Sequence, residues 1–467
     1  MVWKVQNARP VCAAGVVAAA VLAAVPETAF AAGAEYPDNG TIAIGRGCAW
    51  AANPSDGLAF QYNPAGLAQQ RGLRLYADAR LAKQNVRFTS TSIKGDPIEN
   101  SADAFLGPSG ALTYGVGPAG PLSELTFALG ATGPSAIGIV NYPHKGVQRY
   151  ALTETDYFIG YYSASVAAGW GDWLRVGVTG QLAHGSAKFS QAVFSGEYPG
   201  TEPEKDSYAT FEGSNTVLPT GVLGLTVLPR PDLAIGLSWR PAMDFAADGT
   251  LKTEVPEWAK ANAKQVGDQA QLQLKFADVV RLGVQYKPST RWDIELDAVY
   301  ERWSVLKEVR VHTKNVTVVP SFAPAKPVKV DDIVFPHDYK DTWSVRLGGD
   351  YQAITDRLAL RGGYLYESNA APSKTVSVDF PNWSRHVASV GASVRAFGAW
   401  IDLAYAHHFV DTQVVTDSVV VQQTTPQILP GFDPVKPAVV GNGTYEASMD
   451  ILSLSLRVPF GDLSGNL

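Results

Sequence analysis

The sequence predicts an all-β protein: a transmembrane antiparallel β-barrel of about fourteen strands, preceded by a segment that does not fit the strand pattern. Three observations predict it. Apolar and polar residues alternate with a period of two in segment after segment. Short and long connections take turns between those segments, as in outer-membrane barrels. The composition is rich in Gly (44 of 467 residues) and aromatics (11 Trp, 19 Tyr, 18 Phe), with only 18% charged residues, against roughly 25% in soluble globular domains. The formal net charge of -6 lacks the basic footprint that a phosphate backbone selects, so a nucleic-acid partner is not expected.

The chain opens as an export leader. Lys4 and Arg9 precede an apolar stretch over residues 11–25, and small residues follow at Ala29, Ala31, Ala32 and Ala34. This is the layout of a signal peptide over residues 1–34, and the stretch is shorter than the roughly 20 apolar residues of a membrane helix. Cleavage would also remove Cys12, leaving Cys48 without a partner, so disulfides are not expected to hold the fold. That thiol is read as a buried small apolar residue, with a reactive thiol as the alternative.

Residues 35–72 carry Gly40, Gly45, Gly47, Gly57 and Gly66 with little alternation, and are read as a plug inside the barrel. The wall follows over residues 73–460. Its segments lie near 73–82, 109–116, 124–139, 151–169, 173–183, 219–228, 232–240, 279–287, 291–302, 342–351, 358–366, 386–395, 399–408 and 449–460. In one of them Trp292, Ile294, Leu296 and Tyr300 face one way and Asp293, Glu295, Asp297 and Glu301 the other, so the strand separates two solvents. Trp170, Trp173, Trp292 and Trp400 beside short turns, and Trp239, Trp303, Tyr364 and Tyr366 toward long loops, are expected to form two interfacial girdles. A tail, residues 461–467, follows Phe460.

Ile44-Gly45-Arg46-Gly47-Cys48-Ala49, Asp56 and Tyr62-Asn63-Pro64-Ala65-Gly66-Leu67-Ala68 resemble the long-chain fatty-acid and aromatic-hydrocarbon transporter family of the bacterial outer membrane, the FadL type. The resemblance continues through Ser165-Val166-Ala167, Leu174-Arg175-Val176-Gly177-Val178, Pro229 and Pro231, Trp303-Ser304, Leu360-Arg361-Gly362-Gly363-Tyr364 and Phe380-Pro381 with Arg385-His386. It implies a barrel whose N-terminal hatch stops the lumen, with a hydrophobic substrate leaving sideways through a gap at a kinked third strand. Carried over, Asn63, Pro64, Ala65 and Gly66 are the hatch motif, and Gly130, Gly133 and Pro134 lie where the kink is expected. Where fatty-acid members place a basic residue, Ala187-Lys188-Phe189-Ser190-Gln191 has a neutral one. Lys188, Gln191 and Trp258 are therefore the substrate-binding candidates, Trp258 from a short amphipathic helix expected within residues 253–266, for which loop packing is the rival reading.

Other motifs carry less. Gly115-Val116-Gly117-Pro118-Ala119-Gly120 matches a dinucleotide fingerprint, but Pro118 and the missing helix make it a turn. His184 and Ser186 share a strand face without a third catalytic member, and His407 and His408 face opposite ways. The Asp331-Asp332 pair lacks calcium-loop spacing. The expectation is passive uptake of a hydrophobic small molecule by a monomer placed in outer-membrane lipid by the barrel assembly machinery, with no metal, cofactor or enzyme chemistry. A water-filled porin and an outer-membrane hydrolase are the alternatives.

Overall fold

A computed structural model describes residues 35, 38–133, 139–194, 203–215, 217–260, 263–321, 326–380, 383–424 and 437–460. The expected leader and tail lie outside the described residues. The wall strands are β1 (Gly72–Ser90), β2 (Phe105–Gly115), β3 (Glu124–Thr132), β4 (Glu154–Trp170), β5 (Leu174–Phe194), β6 (Leu218–Arg230) and β7 (Leu233–Arg240). They continue as β8 (Val279–Tyr286), β9 (Trp292–Glu301), β10 (Thr342–Ile354), β11 (Leu358–Glu367), β12 (Arg385–Ala396), β13 (Ala399–Val410) and β14 (Gly443–Pro459). Each pairs antiparallel with the next. Because β14 also pairs with β1, from Arg74 opposite Pro459 to Ser90 opposite Gly443, the cylinder closes.

Alternation places the side chains. On β9, Trp292, Ile294, Leu296 and Tyr300 are exposed on the outside, while Glu295, Asp297 and Glu301 are buried toward the lumen. The turns at one end are tight, with Gly171, Asp356 and Phe397 at φ 54°, 57° and 52°, the left-handed geometry that lets a two-residue turn follow strand twist. An arginine on the lipid face has no such relief. Leu454→Arg on β14, where Leu454 is 53% exposed, is expected to cost about 2–4 kcal/mol of folding stability in lipid vesicles. A loss below about 1 kcal/mol would place that face outside the hydrocarbon.

The long excursions are not plain loops. Ser207–Ser214, Met243–Glu254, Gln269–Phe276, Glu308–Thr313 and Ile333–Pro336 extend the wall outward from β5 in one continuous ladder. There the polarity inverts. Met243, Phe245 and Leu251 are buried inward and Asp244, Asp248 and Lys252 are exposed, because the outer solvent is now water instead of lipid. The helix expected within residues 253–266 is confined to Glu257–Lys260, and Ala263–Val266 instead pairs with Thr317–Pro320. Two girdle residues are also corrected. Trp303 is fully buried with its Nε1 donating to Glu301 Oε2 at 2.7 Å, and Trp400 lies beneath the Arg457 guanidinium at 5.4 Å. Trp170, Trp173, Trp292 and Trp239 are exposed on the outside as expected.

Candidate functional site: the hatch, the outer lumen and the register shift in the wall

The segment before β1 folds inside the barrel. It holds a short helix, Thr41–Gly45, a second, Ala59–Tyr62, and a 3₁₀ helix, Pro64–Gln69. Asn63 separates the last two in an extended conformation, and its Oδ1 accepts the Ala65 amide at 3.1 Å while Pro64 starts the 3₁₀ turn. The other end of the side chain leaves the hatch. Asn63 Nδ2 lies 2.8 Å from the Ala51 carbonyl and 3.1 Å from both the Leu225 carbonyl and Thr226 Oγ1 of β6. One buried amide therefore joins both halves of the hatch to the wall. Gly66 is required where it stands, since a Cβ there would fall 2.2 Å from the Pro54 carbonyl oxygen.

Charged side chains of the lumenal face supply the rest of the seat. On β9, Asp297 Oδ2 accepts the amides of Trp50 and Ala51 at 2.8 and 2.9 Å, and Glu295 Oε1 accepts that of Ala52 at 2.8 Å. Arg46 reaches out in return. Its guanidinium lies 2.8 Å from Asp293, 3.2 Å from Glu295 and 3.3 Å from Asp350, and it stacks 4.9 Å over Trp50. On β1, Asp78 accepts the Thr41 amide at 2.9 Å, and on β12 Ser389 accepts that of Gly47 at 2.8 Å. These partners answer the demand that buried backbone donors be paired.

Glycines on the wall let the hatch backbone come this close. A Cβ at Gly177, Gly224, Gly236, Gly348 or Gly363 would fall 2.0–2.2 Å from hatch atoms. Gly130 belongs with them. It lies mid-strand, paired with Ala111 and Ser163, and a Cβ there would meet the Phe60 ring at 2.3 Å. It is thus a hatch contact and not part of a kink.

Beyond the hatch and the charged side chains around it, the lumen toward the outer loops is apolar. Ile44 and Cys48 begin a continuous buried cluster that runs through Phe88, Phe189, Phe211, Phe245, Phe276, Trp303, Phe380 and Trp383. Tyr157 of β4 stacks on Phe380 at 5.7 Å, and Phe276 meets Trp303 edge-on at 6.4 Å. The void directly above the hatch, between Ile44, Cys48, Leu365, Val387 and Ile451, is only about 20 Å³. Below the hatch, cavities of about 220 and 270 Å³ are lined by Arg361, Arg457, Trp400 and Asp56 among others. The hatch therefore separates a packed apolar outer lumen from a polar vestibule. Burial pushes the Cys48 thiol up, which keeps it un-ionised and inert.

Asp56, buried at the base of the hatch, is pushed up to about 6 by burial, with Arg457 pulling the other way. A carboxyl that protonates more readily when seated than when released strengthens the seat at low pH. That contribution is complete below its ordinary 3.8 and is lost as pH rises through about 6. Hydrogen exchange of the hatch amides is expected to slow as pH falls from about 7 to about 5, by roughly 1.3 kcal/mol of opening free energy, after correction for intrinsic exchange. Asp56→Asn should flatten the profile, and an unchanged profile would assign the effect to another group.

The register of the wall shifts at β3. Thr132 stands opposite Tyr161 and Ile139 opposite Asp156, so seven steps along one side face five along the other. Gly133 stands where the register shifts, and a Cβ there would come within 3.3 Å of the Gly160 Cα. Pro134 lies outside the described residues. The shift leaves two more residues on the β3 side than β4 opposes, as extra residues at a bulge do.

The substrate-binding candidates do not converge. Lys188 shares the outward parity of the exposed Leu182, and its Nζ is 2.8 Å from Glu154 Oε1, so it does not face the lumen. Gln191 is buried with both amide atoms unbonded. Trp258 is on the helix Glu257–Lys260, its side chain lying outside the described residues. Sequence reasoning missed Arg46, Glu295 and Asp297 as partners. The signal was the charged face of β9, which pointed to the lumen without saying what it would meet.

A closed fourteen-strand barrel with an apolar outer face and an N-terminal hatch across its lumen defines a plugged outer-membrane channel. The chain belongs to the outer membrane protein transport protein family (OMPP1/FadL/TodX), whose model matches residues 22–460, and its location is the bacterial outer membrane. Among solved structures, a Pseudomonas aeruginosa FadL homologue matches with a TM-score of 0.71 at 17% identity, over 93% of this chain and 100% of that one. The toluene transporter TodX of P. putida matches with 0.66 at 14%, over 91% and 99%. TbuX, the toluene transporter of Ralstonia pickettii, matches with 0.61 at 15%, also over 91% and 99%. No curated protein sequence matches the chain.

Proposed function

We propose that the protein admits hydrophobic small molecules through the outer membrane, down their gradient. The observation that carries this reading is the continuous buried apolar cluster that fills the lumen between the outer loops and the hatch. An apolar solute gains about 25 cal/mol per Å² on leaving water, so such a lining concentrates it, whereas a wet pore would not. Lateral exit past Gly133 lets the solute reach lipid without returning to water. Two relatives named as toluene transporters agree with this substrate class. Residues 1–34 serve as the export leader, and the barrel works as a monomer inserted by the assembly machinery.

Proteoliposome uptake tests the reading. A radiolabelled hydrocarbon is expected to enter faster than through protein-free vesicles, while a small sugar is not. Asn63→Ala should slow hydrocarbon entry without preventing barrel assembly, because it unties the hatch from β6. Sugar entry at a porin-like rate, or hydrocarbon entry no faster than the lipid background, would overturn the proposal.

A further inference from the structure

The void directly above the hatch, about 20 Å³, has room for about one water, so a larger solute enters the outer lumen only where a side chain gives way. Among the large aromatics of the buried cluster, Phe88, Phe189, Phe211, Phe245 and Phe276 sit on paired strands, which hold them in place. Phe380 is placed differently. It belongs to the connection between β11 and β12, is 4% exposed, and stacks at 5.7 Å on Tyr157 of β4, beside the register shift.

Two outer loops are tied together at Phe380. His337, in the connection between β9 and β10, is 2% exposed, and its ring packs on Phe380 at 5.3 Å and on Tyr339 at 5.0 Å. Its Nδ1 lies 2.9 Å from the Phe335 carbonyl, which can only accept, so Nδ1 carries a hydrogen. Nε2 lies 3.2 Å from Asp379 Oδ2 without the alignment of a hydrogen bond. The contact is therefore an ion pair that lasts only while the ring is protonated, since a neutral ring would turn a lone pair toward the carboxylate. Asp379 Oδ1 in turn accepts the Phe380 amide at 2.8 Å. A second tie needs no charge: Thr375 Oγ1 donates to the His337 carbonyl at 2.6 Å. Burial pushes the Asp379 carboxyl up, but His337, the Phe380 amide and the Ser377 hydroxyl outweigh it and hold it below the usual carboxylate range. The charge that changes near neutral pH is thus the one on the ring. Tyr142, Tyr157 and Tyr445 also face Asp379, and Tyr339 faces the ring, but phenols titrate near about 10. Asp338 and Lys374 pair with each other at 3.8 Å on the surface.

We propose that Phe380 gates the outer lumen and that the proton on His337 holds the gate shut. The inference rests on the hydrophobic-uptake reading and adds control by external pH to it. Closing takes up a proton, so the gate tightens as pH falls toward the carboxylate range and loosens as pH rises. Opening swings residues 376–380 about Thr375 and lifts the Phe380 ring from Tyr157. The apolar cluster then lies open to a solute arriving from outside.

The first measurement is hydrogen exchange of the full-length protein in proteoliposomes at about pH 5.5 and about pH 8.5, on either side of the ordinary histidine range, corrected for intrinsic exchange. The amides of Val378, Asp379 and Phe380 are expected to exchange at least about tenfold faster at the higher pH, the scale of a lost buried ion pair. They report the gate separately from the hatch, whose own pH response belongs to Asp56. His337→Gln, and independently Asp379→Asn, should make exchange at these amides equal at the two pH values. The second measurement is entry of radiolabelled naphthalene, a probe without a titratable group. In an Asp56→Asn background, entry is expected to be several-fold faster at the higher pH, and Phe380→Ala should make it fast at both. Heat-modifiable migration on gels verifies that each variant is a folded barrel. Equal native exchange at the two pH values, a pH response that survives in His337→Gln, or naphthalene entry that still follows pH in Phe380→Ala would overturn the inference and leave hydrophobic uptake standing. Entry no faster than through protein-free vesicles would overturn both.

Discussion

Replacing Gly363 with leucine is expected to unseat the hatch while leaving the barrel folded. Even the first carbon of that side chain would lie 2.0 Å from the Arg46 carbonyl carbon and 2.1 Å from the Gly47 nitrogen, and both belong to backbone that cannot rotate away. Overpacking of this kind costs about 1–3 kcal/mol, and here it falls on the seated state alone, because the lumenal face of β11 gains only an apolar side chain when the hatch is out. Cys48 supplies the readout. Its thiol is buried and its ionisation suppressed, so maleimide labelling reports hatch opening and should accelerate by up to about a hundredfold. Ion conductance across a planar bilayer should rise in parallel. Native labelling and native conductance together would show that the hatch does not depend on this close approach.

Arg46→Ala is expected to have the second large effect, from charge instead of shape. The substitution leaves Asp293, Glu295 and Asp350 facing one another around an empty site, after losing contacts of 2.8, 3.2 and 3.3 Å. Removing one partner of a buried pair costs about 3–5 kcal/mol, and hydrogen exchange at residues 41–52 should speed accordingly. Arg46→Lys should recover only part, since an ammonium cannot address three carboxylates as a planar fork does. The contrast is Arg71, which is 44% exposed against Glu124 at 3.2 Å. Arg71→Ala should change exchange by no more than about 1 kcal/mol. Equal effects at the two arginines would remove the case for a buried electrostatic seat.

Much of the wall was legible because its signal is local. Each of the fourteen expected segments overlaps a wall strand, and the tight turns fall between them as the short connections required. The misplacements have particular causes. Alternation predicts a third segment over 124–139 and conceals that seven steps there must face five on β4. The outer strands such as Met243–Glu254 escaped notice because their polarity is reversed relative to the membrane wall. Gly130 was assigned to the kink because glycine in a strand signals either a bend or a close neighbour, and only the position of Phe60 tells them apart. Trp400 and Trp303 were placed in girdles by residue type, yet one faces inward under Arg457 and the other is enclosed by the strands it follows.

What the sequence determined by itself was a two-solvent wall: period-two alternation dictates which residues face lipid, and connection lengths dictate which end carries the loops. Tertiary structure alone decided how the hatch is held. Arg46 meets Glu295 across 249 residues, and Thr41 meets Ser453 across 412. Such pairs depend on barrel closure and on the register of every intervening strand, and no local periodicity records them.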